Sequence, residues 1–122
     1  MAGAAAAGPR MLTPAQWWLV VAPMDLRGGM DRLLVHVRTV LGRDPFDGSA
    51  YVFRNRSGSR IKVLYADAQG IWLCARRLHE GHFIGAAPGS ETCTLSAEQF
   101  VWLCAGVDWR RLSQAPPRAA RI

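Results

Sequence analysis

A chain of 122 residues, 50% of them hydrophobic, has room for one modest core, and that apolar share excludes wholesale disorder. Fifteen basic residues against nine acids give a formal charge of +6 and a pI near 10.2, which points to a polyanionic partner, nucleic acid before an anionic membrane surface. The three cysteines, Cys74, Cys93 and Cys104, have no paired spacing, which excludes a disulfide framework and a C-x-x-C metal knuckle and fits a reducing cytoplasm.

Fourteen of the fifteen bases are arginine, whose planar fork grips phosphate or a guanine edge. A GC-rich genome is enough to explain the abundance, so the clustering is the more telling feature. Residues 1–12 begin MAGAAAAGPR, without the early basic region and long apolar run of a signal peptide, and read as a flexible tail. Residues 113–122 read as a flexible basic tail, since Pro116 and Pro117 block regular structure. One domain is expected over 13–112. It should be soluble and cytoplasmic with no membrane partner, because WWLVVA is far too short to span a bilayer.

From the N-terminus, TPAQWW offers a helix start with Thr13 as N-cap, but WWLVVAP favours a buried strand from Trp17, stopped by Pro23. Met30, Leu33, Leu34, Val37 and Leu41 then form one apolar helical stripe, with Asp25 as an upstream N-cap and Gly42 as the stop. The turn RDPFDGS follows. Strands are expected at 50–54, 60–66 and 71–78, with EGHFIGA as a possible fourth. Their short connections imply an antiparallel meander. A second helix over 97–105 has a capping box (Ser96 with Gln99), a hydrophobic staple (Leu95 with Phe100) and Gly106 as its stop. The expected fold class is α+β, a small antiparallel β-meander with two helices packed on one face.

The basic hairpin carries the most information. Arg54, Arg56, Arg60 and Lys62 border one loop, and Arg76 and Arg77 reach the same end from the next strand. Such a ribbon suits DNA-binding along a phosphate backbone; strand-edge charge that discourages aggregation is the competing reading. In MDLRGGMDR, glycines at a helix start can present free N–H groups to phosphate, or Asp25 caps the helix and Arg27 pairs with an acid. The sequence VDWRR at 107–111 makes Trp109, with Arg110 and Arg111, a candidate contact for a partner or phosphate. The aspartates have cap and turn roles, the serines lack a nucleophile elbow, and His79 and His82 lack co-ligands. No catalytic residue, metal or cofactor is expected, and the protein is read as not an enzyme.

MDLRGGMDRLLVHV, then DPFDGSAYVFRNRSGSRIKVLYADAQGIWLCARRLHEGHF, then LSAEQFVWLCAGVDWR resemble, in that order, the TnpB accessory protein of insertion sequences of the insertion-sequence-66 type. The similarity spans about residues 17–111. Matched positions include Asp25, Arg27, Asp44, Pro45, Phe46, Gly48, Phe53, Arg54, Arg56, Lys62, Asp67, Arg77, Phe83, Asp108, Trp109 and Arg110. Ala66 departs from the tryptophan usual there, and His82 from an arginine. The resemblance implies a non-catalytic accessory factor in DNA transposition, encoded beside the transposase. Together with the charge, it suggests contact with DNA at the element ends. Docking of the transposase and a further accessory protein is expected through Asp25, Arg27, Trp109 and Arg110. A bridge between transposase subunits that never touches DNA is the alternative.

Overall fold

A computed structural model describes residues 13–112. The two expected tails lie outside the described residues. The elements are β1 (Trp17–Val20), α1 (Met30–Thr39), β2 (Ala50–Arg54), β3 (Arg60–Ala66), β4 (Ile71–Arg77), β5 (Thr92–Leu95), α2 (Ala97–Cys104) and a short 3-10 helix (Trp109–Arg111). They build one sheet in the order β4-β3-β2-β1-β5. The fold class is α+β, as expected.

The meander expected from the sequence is β2-β3-β4, antiparallel throughout. β1 departs from it. It pairs parallel with β2, so β1-α1-β2 is a crossover unit, and β5 pairs antiparallel on the other edge of β1. The expected strand at EGHFIGA is absent. That segment instead crosses the sheet end, anchored by Phe83, 2% exposed, whose N–H donates to the Gly58 carbonyl at 2.7 Å.

The two helices lie on opposite faces of the sheet, not on one. Successive strand residues are both apolar, as in Leu19-Val20, Tyr51-Val52-Phe53 and Val63-Leu64, so both faces must be buried. Leu33 and Val37 of α1 cover one face with Val20, Tyr51, Phe53 and Leu64. Phe100 and Leu103 of α2 cover the other with Leu19, Val52, Ile61, Val63 and Tyr65. Trp17 stacks on Phe100 with ring centroids 3.9 Å apart and planes 19° off parallel, which adds about 0.5–1.5 kcal/mol to the burial of both rings.

Local signals set the element ends. The capping box of α2 is complete: Ser96 Oγ accepts from Gln99 N at 3.0 Å, and Ser96 N donates to Gln99 Oε1 at 2.9 Å. α1 has no such cap; Gly29 sits at its N-cap without a side-chain bond. The expected cap, Asp25, is engaged elsewhere. At the other end Gly42 adopts φ 65°, a left-handed turn, and Arg43 N donates back to the Val37 carbonyl at 3.0 Å. Among the described residues no helix is long and apolar enough to cross a membrane.

Candidate nucleic-acid interface

The loop 55–59 between β2 and β3 is built by its own polar side chains. Asn55 Nδ2 donates to Ser59 Oγ at 3.1 Å, Asn55 Oδ1 accepts from Arg60 N at 3.0 Å, and the Ser57 and Ser59 hydroxyls lie 2.9 Å apart. Gly58 takes φ 77° there, and an added Cβ would lie 3.2 Å from the Phe83 carbonyl oxygen. The loop is therefore short, rigid and backed by segment 82–84.

A second loop lies beside it. Met24 N donates to the Arg54 carbonyl at 2.9 Å, and Leu26, 5% exposed, plugs the α1-side core. Lys62 Nζ donates to the Gly28 carbonyl at 3.1 Å. Arg27 is folded onto Asp25: its N–H and Nε donate to Oδ1, both at 3.0 Å, and Nη2 donates to Oδ2 at 2.9 Å. These bonds hold the Asp25 carboxyl well below the usual carboxylate range. The Arg27 side chain is still 85% exposed.

Two open cavities, of roughly 560 and 470 Å³, lie between these loops and along β3-β4, and they share Leu26, Arg27 and Arg60. Together they form one trough. Arg27, Arg56, Arg60, Lys62 and Arg77 line it, Arg76 sits on its rim, and Asp25 is the sole acid in the lining. Arg56, Arg60 and Arg77 are exposed and make no side-chain hydrogen bond or ion pair among the described residues.

The six cations expected to form one patch reach the same end of the sheet, but strand parity divides them. Arg60 pairs with Arg77 across β3-β4, and Lys62 shares their face. Arg54 pairs with Ile61, which pairs with Arg76, so these two point to the α2 face. Arg54 is half-buried there against Gly85, where a Cβ would come within 2.5 Å of its guanidinium, and its Nε has no partner among the described residues. It is a poor candidate for reaching a phosphate backbone. Arg76 lines a smaller apolar cavity of roughly 180 Å³ with Ile61, Val63, Cys74, Phe100 and Cys104.

The partner-docking group is also divided. Asp25 and Arg27 belong to the trough. Trp109 is 6% exposed and its Nε1 donates to the Ile84 carbonyl at 2.7 Å, so its ring is core and not a docking surface. Arg110 is exposed but chelates Asp108 through Nε at 2.8 Å and Nη2 at 3.0 Å, which lowers the Asp108 pKa. Trp72, on the α2 face and 44% exposed, is not among the site residues expected from the sequence. Ala66 is fully buried and so presents no surface to a partner. Among the described residues no three His, Cys, Asp or Glu side chains converge as metal ligands.

The model of the family described as IS66 Orf2 like protein matches residues 15–114. An uncharacterized protein y4hO of Sinorhizobium fredii is 38% identical over 93 residues, covering 76% of this chain and 81% of the relative. A second from that organism, y4jC, is 35% identical over 94 residues, covering 77% of this chain and 80% of the relative. No solved structure matches the chain. The resemblance first carried by DPF, VFRNR and VDWR thus extends across the whole described domain, and the chain belongs to the IS66 Orf2-like family, whose role is accessory to transposition.

Proposed function

We propose that this accessory protein acts without catalysis by contacting the DNA of its insertion sequence through the trough. The observation that carries the reading is the set Arg56, Arg60 and Arg77, three exposed guanidiniums with no counter-ion among the described residues, lining one concave surface where Asp25, the one acid among the described lining residues, is already chelated. A pure phosphate contact of this kind depends steeply on salt. Fluorescence anisotropy of the purified chain with a labelled duplex, across a salt series, tests it. Binding that weakens as salt rises is the expected outcome. No binding at low salt would sink the reading.

A second reading, in which the chain docks the element's transposase, is favoured by the opposite face. Trp72 and Val101, 44% and 37% exposed, stand on β4 and α2, the elements whose Cys74, Phe100 and Cys104 line an apolar cavity. Arg76 at its rim suits a transposase segment that pairs apolar side chains with a carboxylate. The two contacts use different faces and are compatible. Pull-down by purified transposase, lost with Trp72→Ser while the duplex still binds, is the result this second reading predicts.

A further inference from the structure

We infer that the trough holds duplex DNA by its phosphates alone and reads no base sequence, so that choice of the element's ends falls to another component. The inference rests on the DNA-contact reading above and concerns which nucleic acid the trough takes.

No aromatic side chain lines either cavity. Proteins that hold single strands rely on stacking platforms beside a basic groove. Here the exposed aromatics stand elsewhere: Trp72 on the α2 face, and Phe46 beneath Arg38, whose guanidinium carbon is 5.6 Å from the ring centre.

The side chains able to read base edges are engaged within their own loops. Asn55, the natural reader of adenine, uses both ends of its amide inside the loop. Ser57 and Ser59 bond to each other. The fork of Arg27 is closed on Asp25. What remains is Arg56, Arg60 and Arg77, which make no side-chain hydrogen bond or ion pair among the described residues. A specific bidentate base contact needs its rotamer locked by packing and by further hydrogen bonds. An unfixed guanidinium serves any phosphate within reach. Three such contacts correspond to a slope of log affinity on log salt of about −3.

The test uses the full chain in fluorescence anisotropy with three probes of equal length: a duplex of the element's terminal repeat, a scrambled duplex of the same composition, and oligothymidine. The two duplexes should bind alike, within about twofold, because phosphate contacts carry no sequence information. Oligothymidine should bind weaker by about tenfold or more, for want of stacking. Arg60→Lys and Arg77→Lys should weaken the two duplexes alike, since any contact they lose is to phosphate. A terminal-repeat preference above about tenfold, or a lysine variant that weakens one duplex and not the other, would overturn the inference, because each is the mark of base-edge readout. Equal or tighter binding of oligothymidine would also overturn it. Failure of all three probes to bind would remove the DNA-contact reading itself.

Discussion

The two faces of the sheet carry the same local device in different surroundings. On the α1 face, Asp25-Leu26-Arg27 closes an aspartate-arginine chelate around a buried Leu26. On the α2 face, Asp108-Trp109-Arg110 does the same around a buried Trp109. In each, the charged pair spans two residues and the middle side chain plugs its own core. Each chelate consumes its cation locally, so the device itself supplies no excess charge. What differs is the neighbourhood. The first chelate stands among Arg56, Arg60, Lys62 and Arg77; the second adjoins Gln99, buried, whose Nε2 donates to the Leu112 carbonyl at 2.7 Å. The lesson is that a motif of acid, apolar residue and arginine marks a loop anchor here and leaves the excess charge to the cations around it.

The largest effect expected from breaking this symmetry is in stability. Trp109→Ala should cost about 3–5 kcal/mol, from the lost ring and the cavity it leaves, read as a lowered urea midpoint. The matching Leu26→Ala should cost about 2–5 kcal/mol and also loosen one wall of the trough, weakening duplex binding. An equal loss of DNA affinity from Trp109→Ala in the folded protein would erase the distinction between the faces. A smaller effect is expected at the α2 cap, where Ser96→Ala should cost about 0.5–2 kcal/mol by thermal melting without changing duplex affinity.

The smallest effect is a pH dependence on the α1 side. Burial lowers the His36 pKa below 6.5, with Glu91 opposing. The unfolded chain then binds a proton first as pH falls. This contribution to stability is full above pH 6.5 and declines below it, toward the folded-state value. Urea midpoints compared above and below that pH should differ less in His36→Gln than in the wild type. Equal differences in both proteins would remove His36 as a source.

Much of the fold could be read from the sequence because its signals are local. β2 and β3 follow from alternating β-branched and aromatic residues between turn dipeptides, and α2 from a capping box contained within 96–99. The parallel pairing of β1 with β2 could not be read, because it depends on a contact made across the whole of α1. β5 escaped notice as a short run, TCTL, after a stretch rich in Pro and Gly. The division of the cations was closer to hand. With the loop spanning 55–59, Arg54 faces Ile61 and not Arg60, so it must point away from Arg60 and Lys62. Sequence distance grouped them, and pleat parity separated them. The burial of Trp109 had no local signal, since its partner carbonyl belongs to Ile84.

On the proposed reading, unpaired charge on the α1 face, not net charge, binds DNA. The direct test is the salt dependence of duplex affinity for the wild type, for the double variant Arg60→Ala with Arg77→Ala, and for Arg111→Ala, an exposed cation beyond the trough. The double variant should bind more weakly and lose about 2 from the magnitude of the salt slope, while Arg111→Ala matches the wild type. Equal losses from both variants, or none from the double variant, would show that the trough is not where DNA binds.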